Sequence, residues 1–95
     1  LRVETVCGTL AGDSPEYTLV RELTVGRDGA CDIVFDDPSV SRRHARVFLA
    51  EDTVYLEDLG SQNGTRVNGT AISMPCALRS GDTLTTGEVV WKLKF

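Results

Sequence analysis

The longest apolar runs in this chain fall far short of the ~18 residues a membrane-spanning helix needs. A helical membrane protein is therefore excluded, and no membrane partner is expected. No secretory signal pattern follows Leu1-Arg2-Val3. The chain also starts without an initiator Met, so one domain over 1–95, cut from a larger protein, is the expectation. There is no basic excess: the net charge is −4, which argues against nucleic-acid binding. No Cys-x-x-Cys pair occurs, Cys7, Cys31 and Cys76 lie far apart, and His44 is the sole histidine. A four-ligand zinc site would need unusual partners, so no metal and no cofactor is expected. Small buried thiols are the simplest reading of the cysteines, with a reducing, cytoplasmic setting (nuclear in a eukaryote). No window carries an amphipathic helix, an internal repeat or a low-complexity linker.

What is present alternates with period two. Val89, Trp91, Leu93 and Phe95 interleave with Glu88, Lys92 and Lys94, broken on the polar side by Val90. Ala45, Val47 and Leu49 flank Arg46, and Val54 and Leu56 alternate with Thr53, Tyr55 and Glu57. Tyr17 to Val25 reads as one β-rich run with a bulge at Arg21. Leu1–Val6 and Cys31–Phe35 read as further strands. Turn signals separate these runs: Ala11 to Pro15, Asp28-Gly29, Asp36 to Ser39, Glu51-Asp52, Asn63-Gly64, Asn68-Gly69, Ser80 to Asp82 and Gly87. Many short strands with frequent turns imply an all-β antiparallel sandwich or barrel. Trp91 belongs in its core.

The basic residues are unevenly spread. Arg27, Arg42, Arg43, Arg46 and Arg66 are five of only ten, and all lie in or beside three stretches. These are Gly26-Arg27, Ser41-Arg42-Arg43-His44, and Asp58 to Gly69, which contains Ser61-Gln62-Asn63-Gly64-Thr65. A hydroxyl beside guanidiniums suits a dianionic phosphate, because Ser offers a neutral donor and Arg a planar fork. Arg43 and Arg46 read as solvated surface charges. Arg66 could be surface or the rim of a site.

The three stretches, in this order and at these separations, resemble the forkhead-associated (FHA) domain. That family carries Gly-Arg, Ser-Arg-x-His and Ser-x-Asn-Gly-Thr-x-x-Asn-Gly. The resemblance runs from Leu23 to Phe95. It implies a β-sandwich of about eleven short strands with binding loops at one end. It further implies a monomeric, non-catalytic module that binds phosphothreonine in partner proteins in signalling. Carried over, Arg27, Ser41 and Arg42 would contact phosphate. Asn63 would hydrogen-bond the peptide backbone, with Gln62, Val40 and Ser39 lining the peptide. Gln62 stands where some members have Thr. His44 would brace the loop, and Gly26, Gly64, Thr65, Asn68 and Gly69 would hold the site's shape.

Two rival functions are weaker. A hydrolase built on Ser41 and His44 lacks a Gly-x-Ser-x-Gly elbow, an acidic orienter and an evident oxyanion hole. A phosphate-independent interaction module would have no need to retain Arg27, Ser41, Arg42 and Asn63.

Overall fold

Eleven strands form in a computed structural model that describes residues 1–7 and 15–95. They are β1 (Arg2–Cys7), β2 (Glu16–Thr18), β3 (Glu22–Gly26), β4 (Ile33–Val34), β5 (Ala45–Ala50), β6 (Thr53–Asp58), β7 (Thr65–Val67), β8 (Thr70–Ala71), β9 (Cys76–Ala77), β10 (Thr83–Thr86) and β11 (Val89–Lys94). Six strands pair in the order β2-β1-β11-β10-β7-β8, and five in the order β4-β3-β5-β6-β9. The expected loop over 11–14 and the Cys7 side chain lie outside the described residues.

The inward faces of both sheets supply the core. Val3, Leu84, Trp91 and Leu93 come from the six-stranded sheet, and Leu23, Val25, Val47 and Leu56 from the five-stranded one. Trp91 is the largest fully buried side chain, as its place in the alternation requires. Its indole N–H donates to Thr86 Oγ1 at 3.2 Å, so burial leaves no orphan donor. Phe35 packs against it at 5.2 Å. Cys31 is buried as expected, but Cys76 only partly, and both are free thiols.

Three expectations need correction. Tyr17 to Val25 is not one bulged strand. The chain leaves β2 in one sheet and enters β3 in the other, turning at Leu19 to Arg21, with Leu19 fully buried at the crossing. Parity carries through that crossing, which hides the break. The run 31–35 yields only β4, and β4 pairs with β3 in parallel, so the five-stranded sheet is mixed. The outward face of β5 is not simply solvated either. Arg46 bonds Glu57 at 2.6 Å and Glu22 at 2.8 Å, and lies 4.3 Å over the Phe48 ring.

The hairpin turns follow local chemistry. Glu51 and Asp52 both adopt positive φ, 50° and 65°, between the paired residues Ala50 and Thr53. Asn68 and Gly69 do the same at 51° and 84° between Val67 and Thr70. Two consecutive positive φ angles match the twist of antiparallel strands, and that is why such short connections close.

Candidate functional site

Backbone bonds draw the ends of β3, β5 and β6 together at one edge of the sandwich. The Arg27 amide donates to the Ser41 carbonyl at 3.0 Å, and the Asp28 amide to the Arg42 carbonyl at 3.2 Å. The Cys31 thiol donates to the same Arg42 carbonyl at 3.2 Å. This approach needs Gly26. A Cβ there would lie 2.1 Å from the Arg42 carbonyl oxygen.

The side chains expected to meet phosphate stand on this frame with donors to spare. Arg27 is exposed and anchored through Nε to the Val40 carbonyl at 3.1 Å. That bond occupies one of five guanidinium N–H donors and fixes the direction of the fork. The Ser41 hydroxyl oxygen accepts from the Gln62 amide at 3.1 Å, so its proton remains available to a ligand. Arg42 is exposed, and its side chain makes no hydrogen bond or ion pair among the described residues. Arg43, one residue on, lines a separate hollow with Thr24, Asp28, Ala30 and Cys31.

His44 ties the second stretch to the third. It is fully buried; Nδ1 accepts from the Ser41 amide at 3.0 Å, and Nε2 donates to the Gly64 carbonyl at 2.7 Å. Such partners suit the neutral Nε2–H tautomer. A ring held this way on both nitrogens ties the two loops together and leaves neither nitrogen free for the Ser41 hydroxyl.

Asp58 organises the third stretch, a role that sequence reasoning did not assign. One carboxylate oxygen accepts from the Gly60 and Ser61 amides, both at 3.0 Å. The other accepts from the Ser61 hydroxyl at 2.5 Å and the Thr65 hydroxyl at 2.6 Å. Burial works to raise this carboxyl's pKa. The bonds from Ser61, Thr65 and the Ser61 and Gly60 amides outweigh it, and the pKa falls below the ordinary range. The available signal was an Asp two residues before a Gly and three before a Ser, the spacing of a side-chain-closed turn. Thr65 is buried, so its support of the site is through Asp58.

The other expected positions differ in burial and in bonding. Val40 is 1% exposed and packs inward, so it offers its carbonyl to Arg27 and no side chain to a peptide. The Ser39 hydroxyl is already engaged, donating to Asp37 at 2.7 Å and accepting from the Glu88 amide at 2.8 Å. The Ser39 hydroxyl and amide together lower the Asp37 pKa. Gln62 is exposed, and it meets Ser41 through its backbone amide. Asn63 is exposed and donates to the Ser39 carbonyl at 2.8 Å. Gly64 has φ 83°, a conformation that favours glycine. Asn68 and Gly69 sit beyond β7 from Gly64, and Asn68 bonds Asp82 and Thr83. They shape the sheet edge rather than the loop rim. Arg66 is exposed in the middle of β7. Gly87 lies in the β10–β11 turn, outside the three motifs. Its amide donates to the Gly64 carbonyl at 3.2 Å, which brings a fourth segment to the site.

Known proteins resemble this chain in sequence and in fold. A family model described as the FHA domain matches residues 23–87. The mouse proliferation marker protein Ki-67 is 42% identical over 60 residues, which cover 63% of this chain and 2% of that protein. This chain thus spans a small fraction of that relative's length. The solved FHA domain of the CT664 protein from Chlamydia trachomatis superposes with a TM-score of 0.86 at 30% identity, over 100% of this chain and 98% of that one. The FHA domain of FhaA, solved in complex with the intracellular domain of Rv3910, gives 0.81 at 27% identity, over 97% and 99%. With its three loop motifs joined at one edge and the family model spanning most of its length, the chain belongs to the forkhead-associated family.

Proposed function

We propose that this domain binds phosphothreonine-containing segments of partner proteins and performs no catalysis. The observation that carries this reading is the set of unspent donors at the joined loops. Arg27 keeps its terminal N–H groups, Ser41 keeps its proton, and Arg42 has no acidic partner among the described residues. A phosphothreonine brings a charge of about −1.5 to −2 and three acceptor oxygens, which two guanidiniums and a hydroxyl can serve. Each charge-assisted bond is worth roughly 1.5–3 kcal/mol before desolvation. Asn63 keeps its amide oxygen and a second N–H for a peptide backbone. The FhaA neighbour, held in complex with a protein domain, supports a role in protein recognition. Family membership supports the phosphothreonine itself.

The test is a matched pair of peptides, phosphothreonine and unmodified, titrated against wild-type protein and Arg42→Ala. Binding should require the phosphate and the wild-type residue, with Arg42→Ala weakening it by about tenfold or more. Equal affinity for both peptides would overturn the reading in favour of a phosphate-independent module.

A further inference from the structure

Ser39 sits at a junction that neither the motif nor its neighbours announce. Its hydroxyl links Asp37 on its own loop to the Glu88 amide, 49 residues away. Its carbonyl accepts the Asn63 side-chain amide. Gly87 closes over that carbonyl: a Cβ at Gly87 would lie 2.3 Å from the Ser39 oxygen and 2.7 Å from both its carbonyl carbon and its hydroxyl. Gly87 also has φ 61°, which disfavours a side chain independently of the contact. Its amide meanwhile donates to the Gly64 carbonyl, the same oxygen that His44 holds. The β10–β11 turn therefore clamps both the loop carrying Ser41 and the loop carrying Asn63.

We propose that Ser39 and Gly87 are positioning residues for phosphopeptide binding, setting the Asn63 amide and the Ser41 loop before the ligand arrives rather than touching it. The proposal rests on the phosphothreonine-binding function above. Its physical content is preorganisation. Freezing a side chain on binding costs conformational entropy, and a side chain held in advance avoids that cost. It also explains why the Ser39 hydroxyl offers nothing to a peptide side chain: both its donor and an acceptor position are spent within the protein.

The test uses the whole 95-residue chain with two readouts. In the ligand-free protein, the NMR signals of the Asn63 side-chain amide should shift in Ser39→Ala and Gly87→Ala, and return towards wild type in Ser39→Thr, which restores the hydroxyl. With a phosphothreonine peptide selected from a degenerate pool, affinity should fall about fivefold in Ser39→Ala and about tenfold in Gly87→Ala. On an Asn63→Ala background both losses should shrink, because part of each effect is transmitted through Asn63. A residue with a merely structural role would lower stability without this coupling. Should Gly87→Ala fail to fold, Ser39→Ala and Ser39→Thr still decide. Unmoved Asn63 signals, or full losses persisting on the Asn63→Ala background, would overturn the positioning role while leaving phosphothreonine binding intact. Wild-type protein that ignores every phosphopeptide would overturn both.

Discussion

Gly26 shows how a single residue can serve a site it never touches. The Arg42 carbonyl occupies the space a side chain would need, and the crowding atom is backbone, so it cannot swing aside. Gly26→Ala should separate the Arg27 and Arg42 segments and cost about 2 kcal/mol or more, lowering Tm by roughly 10 °C. Thermal unfolding measures this, and an unchanged Tm would refute the close approach. The Gly-Arg pair was legible because it is contiguous. The reason for the glycine was not, since its neighbour lies sixteen positions on. Val40 carries the opposite lesson: it stands next to Ser41, yet its side chain belongs to the core and only its carbonyl serves the site.

At the scale of an element, the β6–β7 loop is held by one carboxylate. Asp58 accepts four hydrogen bonds, and these hold its pKa below the ordinary value of about 3.9 despite partial burial. Because the folded pKa is the lower one, its stabilising contribution is complete above about pH 4 and disappears as pH falls through the folded value. Asp58→Asn should be less stable than wild type at neutral pH by about 1–3 kcal/mol, and the difference should narrow below pH ~4. Denaturant unfolding across that range tests it, and a gap independent of pH would show that the charge does not matter. Only the composition of this loop was readable beforehand. Asp58, Ser61 and Thr65 are spaced as a turn could use them, but which hydroxyl meets which oxygen is fixed by closure of the loop onto β7.

For the whole molecule, the contrast is between an acidic domain and a small cationic rim. The net charge is −4, while the exposed Arg27 and Arg42 concentrate positive charge at the joined loops, where the proposed function puts one dianion. Phosphopeptide affinity should therefore fall as ionic strength rises, since charges are screened over about 10 Å at 0.1 M salt. Titrations at several salt concentrations read this directly, and a flat response would exclude charge-driven recognition. The amino-acid sequence alone determined the all-β class, the positions of the two tight hairpin turns and the three loop motifs, because each depends on residues close along the chain. Only the tertiary structure decided the crossing at Leu19 to Arg21, the parallel pairing of β4, the burial of Val40 and the clamp of Gly87 on Ser39. Those depend on which segments meet in space, and neither parity nor turn chemistry records that.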